Sequence, residues 1–60
     1  MLTLRVAYQD GFTDGWSDAR VGRKVDLVRP DDAYEANYNT GYQEGWRAWE
    51  ERKAHRHANA

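Results

Sequence analysis

The 60-residue sequence has no cysteine, only one proline and no long apolar run. Without cysteine the chain can form neither a disulfide framework nor a thiolate zinc site, which fits a reducing compartment. No stretch approaches the roughly 20 apolar residues that span a bilayer, and residues 1–7 lack the apolar core of a signal peptide. We therefore predict a cytoplasmic protein with no membrane segment.

A strong net charge is also lacking. Nine basic residues against ten acidic give a net charge of -1 and a pI near 6.0, unlike a typical nucleic-acid-binding protein. A mean hydropathy of -1.09 favours disorder, but three Trp and four Tyr supply the apolar area that a compact fold needs. We predict one small folded domain over residues 1–60.

One pattern of tyrosine, glycine and tryptophan occurs twice. Tyr-x-x-Gly-aromatic-x-x-Gly-Trp covers residues 8–16 and again residues 38–46. Spacings of three and four place these positions along one side of a helix. The sequence thus predicts an internal pseudo-repeat, with helices over about 5–21 and 32–55 and a packed connection over 22–31.

The repeated glycines indicate close helix packing. Glycine inside a helix costs about 1 kcal/mol relative to alanine, so two of them four residues apart in each helix need a backbone reason. The alternative, that they mark turns, needs four turns with matching flanking residues. We predict an all-α antiparallel two-helix hairpin that dimerises into a four-helix bundle. Its predicted helix-packing residues are Gly11, Gly15, Gly41, Gly45, Tyr8, Phe12, Tyr38, Tyr42 and Trp46.

Capping residues mark the helix ends. Gly22 is a suitable C-cap for the first helix. Asp32 and Glu35 fit a capping box for the second, and Pro30 cannot continue a preceding helix.

The connection between the helices is too apolar for a flexible linker. In one interpretation Val25, Leu27 and Val28 cover one end of the hairpin. In the other, residues 2–6 and 24–28 pair as two short strands. We favour the first, because an isolated two-stranded sheet is marginal in water.

Basic residues form two groups that could contact phosphates. In an antiparallel hairpin Arg20, Arg23, Lys24 and Arg29 collect at one end, and Arg5, Arg52, Lys53 and Arg56 at the other. Ordinary surface charge and complementation of the helix dipole explain the pattern equally well. The predicted contacts to nucleic acid or the ribosome are Arg20, Arg23, Lys24, Arg29, Arg47, Arg52, Lys53 and Arg56.

Acidic and aromatic residues provide a candidate protein-binding surface. Asp10, Asp14 and Asp18 form a stripe that we expect to face away from the aromatic residues. Such a stripe could dock a basic partner, hold a divalent cation weakly, or be a solvated helix face. Aromatic residues at the edges of the packing face would stay partly exposed as anchors. The predicted protein contacts are Asp10, Asp14, Asp18, Trp16, Trp49 and Tyr34.

No pattern indicates catalysis. His55 and His57 are two residues apart and so do not make the i, i+4 pair of a helical zinc site. Ser17 has no histidine close in sequence, and there is no phosphate-cradling loop. We predict a non-enzymatic protein with no cofactor, no metal and no small-molecule substrate.

Two segments of the chain resemble a known family. Residues 7–15, AYQDGFTDG, followed by a proline-bearing connection and by residues 42–48, YQEGWRA, are similar to the small bacterial and phage proteins grouped with ribosome modulation factor. The resemblance implies a short helical protein that binds the small ribosomal subunit in stationary phase and favours inactive ribosome dimers. The best-known members are strongly basic, however, and of the basic residues that would contact RNA only Arg47 clearly matches.

The leading functional prediction is therefore a binding protein of the ribosome modulation type, docking on rRNA or a ribosomal protein to modulate translation. The alternative is a phage or mobile-element protein that binds and inhibits a host protein. It would use the acidic stripe and the exposed tryptophans.

Overall fold

The structure, a computed structural model, describes residues 3–58 of the chain, with side chains through Arg56. It contains two α-helices packed against each other and no strand within residues 3–58. Helix α1 spans Leu4–Val21 and helix α2 spans Ala33–Ala58. The all-α prediction of two packed helices is confirmed. Residues 3–6 and 24–28 do not form the alternative strand pair, and Leu2, the first residue of the predicted strand, lies outside the described residues.

Helix α1 has a cap at each end. The Thr3 hydroxyl accepts a hydrogen bond from the Val6 N–H at 3.2 Å. Gly22 takes the left-handed conformation, with φ 79°, and its N–H donates to the carbonyl oxygen of Ala19 at 3.1 Å. The next N–H, of Arg23, donates to the Asp18 carbonyl oxygen at 2.8 Å. Together these two bonds form a Schellman motif, which confirms Gly22 as the C-cap.

The capping box at the start of α2 is also confirmed. The Asp32 carboxylate accepts from the Glu35 N–H at 2.8 Å, and the Glu35 carboxylate accepts from the Asp31 N–H at 2.9 Å. Glu35 thus reaches one residue beyond the cap and satisfies a donor that the helix cannot.

The two helices run parallel, so the predicted antiparallel orientation is wrong. Gly11 of α1 faces the backbone of Tyr38, and Gly15, four residues later, faces the backbone of Tyr42. The contact therefore advances by four residues in the same direction on both helices. In an antiparallel pair it would move toward the start of α2.

A long connection makes the parallel orientation possible. Residues 23–30, here called the return segment, lie outside both helices and lead from the end of α1 back to the start of α2. Eight extended residues cover about 26 Å, and the 18-residue helix α1 is about 27 Å long. The chain can therefore return along the whole helix before α2 begins.

The return segment lies along the flank of α2. The Asn39 amide donates to the carbonyl oxygen of Val28 at 2.9 Å. Leu27 is half-buried, whereas Val25 and Val28 are 40% and 75% exposed. The prediction that these apolar residues cover one end of a hairpin is wrong, because in a parallel pair the connection must run beside the helices.

Glycine backbones make the central contact between the helices. Two glycines of α1 and two of α2 lie at this contact, and a Cβ added to any of the four would overlap a carbonyl oxygen of the facing helix. Since a hydrogen takes the place of that Cβ, each glycine Cα–H points at the oxygen, as in the weak C–H···O contacts of closely packed helices. The pairs are Gly11 with Tyr38, Gly15 with Tyr42, Gly41 with Tyr8 and Gly45 with Phe12.

The aromatic rings flank this contact and do not fill it. Tyr42 is buried, with 6% of its surface exposed, and Ala7 and Ala19 are buried beside the glycines. The other rings that the sequence assigned to helix packing are only half-buried, because backbones this close leave no space for a ring between them. These rings belong to Tyr8, Phe12, Tyr38 and Trp46.

Candidate functional site

Polar contacts between the helices occur in a matched pair. The Tyr8 hydroxyl donates to the Glu44 carboxylate at 3.0 Å, and the Tyr38 hydroxyl donates to the Asp14 carboxylate at 2.5 Å. The two contacts correspond residue by residue, because Tyr38 lies 30 positions after Tyr8 and Asp14 lies 30 positions before Glu44. The glycine contacts interchange under the same shift, so each helix presents nearly the same groups to the other.

The acidic stripe does not face away from the aromatic residues as predicted. Asp14 accepts from Tyr38, and Asp18 accepts from the Tyr42 hydroxyl at 2.5 Å. A spacing of four residues places Asp14 and Asp18 on the side of α1 that borders α2, where they meet the ends of the tyrosine side chains. Asp10 is exposed. Two of the three carboxylates therefore hold the helix pair together.

These contacts raise the pKa of the tyrosines above the usual value of 10.0. The hydrogen bond to Asp14, followed by burial, raises the pKa of Tyr38 to about 12. Burial, followed by the hydrogen bond to Asp18, raises the pKa of Tyr42 to about 12. The bond to Glu44 also raises the pKa of Tyr8. Each hydroxyl is held in its neutral, donating form.

The parallel orientation brings the C-terminal ends of both helices to one end of the molecule. Positions 30 residues apart lie side by side on the two helices, so Val21, the last residue of α1, lies beside Glu51. Helix α2 continues for seven more residues, about 10 Å further. We call the exposed cations at this end the basic pole. Its members are Arg20, Arg23, Lys24, Arg52, Lys53 and Arg56.

This arrangement corrects the predicted distribution of charge. Arg52, Lys53 and Arg56 do not lie opposite Arg20, Arg23 and Lys24, because that expectation depended on antiparallel helices. Arg29 and Arg5 lie toward the other end, and Arg47 is exposed on α2 between the two ends. Residues 20–24 and 50–56 hold six basic against two acidic side chains, and the rest of the chain holds three basic against eight acidic.

Two tryptophans border the basic pole. The rings of Trp16 and Trp49 pack edge to face with centroids 5.1 Å apart. The Arg20 guanidinium carbon lies 5.7 Å from the centre of the Trp16 ring, within cation–π range. Both tryptophans are half-buried. Tyr34, the third predicted anchor, is half-buried beside the return segment, far from this pair.

Among the described side chains no group of three or more histidine, aspartate or glutamate residues is arranged to hold a metal ion. His55 is exposed on α2, and the side chain of His57 lies outside the described part of the structure. No helix within residues 3–58 is long and apolar enough to cross a membrane.

Neither a scan against protein-family models nor searches of curated proteins and solved structures find a match to this chain. The basic pole and the open surfaces of the helix pair therefore carry the functional argument.

Proposed function

We propose that this chain is a non-enzymatic binding protein that docks its basic pole on RNA, with the ribosome as the partner and modulation of translation as the outcome. The observation that carries the proposal is the meeting of the two basic groups at one end of a parallel helix pair. Six cations close together form a phosphate-binding surface that neither group provides alone.

The slightly acidic net charge is compatible with this proposal. Exposed charges more than about 8–10 Å apart are largely screened at physiological salt, so RNA at the basic pole responds mainly to nearby cations. The acidic remainder of the molecule would then orient the protein as it approaches RNA, since only the basic pole attracts phosphate. Trp16 and Arg20 add planar groups at the border of the pole.

The alternative, a host-protein inhibitor that uses the acidic stripe, is less well supported. Asp14 and Asp18 already accept hydrogen bonds from tyrosines of α2, which leaves Asp10 as the one member of the stripe without such a role in the helix contact. The homodimer predicted from the sequence, a four-helix bundle, stays a prediction.

Co-sedimentation with ribosomes at two salt concentrations tests the proposed function. If the pole makes four phosphate contacts, affinity should fall roughly 50- to 150-fold between about 50 and 200 mM salt. Absence of any association at the lower salt concentration would refute ribosome binding.

A charge reversal at each end provides a matched comparison. The double variant Arg52→Glu, Lys53→Glu removes two cations from the basic pole, where both are exposed beyond the end of α1. The double variant Arg5→Glu, Arg29→Glu makes the same change in net charge at the opposite end. We expect the first to abolish co-sedimentation and the second to retain it, whereas equal losses would show that net charge alone determines binding.

A further inference from the structure

The return segment occupies a groove on the flank of α2. The groove is lined by rings at intervals of four residues, those of Tyr34, Tyr38, Tyr42 and Trp46. Leu27, the half-buried apolar residue of the segment, borders the groove beside both pairs of rings, Val25 and Val28 border it from more exposed positions, and the Asn39 amide donates to the Val28 carbonyl oxygen. An extended segment thus follows the row of rings and is fixed to α2 by one side-chain amide.

The flank of α1 carries the same kind of groove, and no segment within residues 3–56 occupies it. Subtracting 30 from the four ring positions of α2 gives Leu4, Tyr8, Phe12 and Trp16, and subtracting 30 from Asn39 gives Gln9. A surface groove of ≈ 470 Å³ is lined there by Tyr8, Gln9, Phe12 and Thr13. Leu4, at its end, is 49% exposed.

The described part of the chain does not fill this groove because the two helices end differently. Gly22 turns the chain back after α1, whereas the matching position in α2 is Arg52 and the helix continues to Ala58. Trp49 packs against Trp16 and covers that end of the flank. The open part of the groove therefore runs from Phe12 toward Leu4.

We propose that the α1 groove binds an extended segment of another protein, with apolar side chains two residues apart, as Val25 and Leu27 are in the return segment. The segment runs antiparallel to α1, as the return segment runs along α2, and one of its carbonyl oxygens accepts a hydrogen bond from the Gln9 amide. This binding site is separate from the basic pole and does not depend on RNA binding.

An extended segment suits the groove better than a helix of a second copy. Carbonyl oxygens inside a helix are already paired within that helix, whereas an extended segment has carbonyls free to accept from Gln9. A helix is also 10–12 Å across with its side chains, while the matching groove on α2 holds a single extended backbone.

Titration of the full chain with a peptide of the return-segment sequence, RKVDLVRP, tests the proposal. We expect saturable chemical-shift changes at Tyr8, Gln9, Phe12 and Thr13. The α2 groove should respond only at higher peptide concentrations than the α1 groove, because its own tethered segment competes at an effective concentration in the millimolar range. No saturable change at millimolar peptide, or changes confined to residues 34–46, would overturn the proposal.

Two alanine variants of exposed α1 residues refine the test. Gln9→Ala removes the amide and should weaken peptide binding about three- to tenfold. Ser17→Ala lies outside the groove and should bind as the unaltered chain does. Equal affinities for the two variants would contradict the assigned role of Gln9. Concentration-dependent shifts of the same α1 residues without peptide would assign the groove to a second copy and overturn the proposal.

Discussion

Each glycine at the helix contact gives up about 1 kcal/mol of helix stability relative to alanine. Four of them amount to about 4 kcal/mol, in a chain whose total stability is about 3–9 kcal/mol at typical values per residue. The sequence retains them because the facing carbonyl oxygens occupy the space that each Cβ would need. The backbones then pack directly, and the aromatic rings cover the contact from both sides.

Replacing one of these glycines should therefore destabilise the fold despite the gain in helix propensity. In Gly45→Ala the new methyl group meets the backbone of Phe12 and Trp16, which cannot rotate away as a side chain could. We expect a loss of about 3 kcal/mol or more in the free energy of unfolding, measured by chemical denaturation.

Gly22→Ala is the matched control for this substitution. A Cβ at Gly22 meets nothing within 4 Å, so only its left-handed backbone, at φ 79°, resists alanine. The expected loss is about 1 kcal/mol. If Gly45→Ala lost no more stability than Gly22→Ala, the close helix contact would not explain the glycine at position 45.

The tyrosine–carboxylate contacts predict a loss of stability at high pH. The pKa of Tyr38 and that of Tyr42 are raised in the folded chain from 10.0 to about 12, so the folded state holds these protons more tightly than the unfolded state. Their stabilising contribution is therefore complete below pH 10 and is lost as the pH rises from about 10 to about 12.

Chemical denaturation at a series of pH values measures this effect. We expect the free energy of unfolding to fall across that range, and to fall less steeply in the double variant Tyr38→Phe, Tyr42→Phe. An identical slope in the variant would show that other groups cause the alkaline loss.

The helices could be predicted from the sequence because their signals are local. The spacing of glycines and rings gives each packing face, and Gly22 and Asp32 mark two of the ends. The relative direction of the two helices could not be predicted in this way, because the same face can pack against a parallel or an antiparallel partner. The apolar return segment was the one available signal, since a connection that packs along a helix can span its whole length.

The residues of the candidate sites could be predicted from the sequence, but their neighbours in space could not. Each basic residue of the pole is visible in the sequence, but its neighbours depend on helix direction, so two groups expected at opposite ends form one surface. The α1 groove was hidden for another reason. Its rings were assigned to the core, whereas contact between glycine backbones leaves Tyr8 and Phe12 half-buried at the surface.

Two pairs of introduced cysteines test the parallel orientation, since the chain has none of its own. The pair Arg5→Cys with Ala33→Cys places spin labels on two exposed sites at the same end of a parallel pair. Arg5→Cys with Arg52→Cys joins sites about 25 Å apart along the axis, from the rise of 1.5 Å per residue. Spin-label distances should be short for the first pair and long for the second, and the reverse would restore the antiparallel hairpin.

Parallel helices align their dipoles, and the charges at the start of α2 and at the C-terminal ends of both helices complement that arrangement, whereas the first turn of α1 has no acidic residue. Asp31, Asp32 and Glu35 lie at the start of α2, where negative charge is stabilising, and the cations of the basic pole lie where both helices end. The same segregation of charge therefore stabilises the fold and leaves a cationic end available to a polyanion. These effects can be separated, because charge reversal at exposed Arg52 and Lys53 should reduce RNA binding far more than stability.

Folding of this helix pair should be independent of protein concentration. Every glycine of the contact already faces the other helix of the same chain, so the packing that defines the fold needs no second copy. Thermal unfolding over an about hundredfold range of concentration measures this. An obligate dimer would gain about 2.7 kcal/mol over that range, enough to raise the midpoint by roughly 10 °C or more in a chain this small. We expect no such rise; a midpoint that climbs with concentration would show that folding is coupled to the four-helix bundle predicted from the sequence.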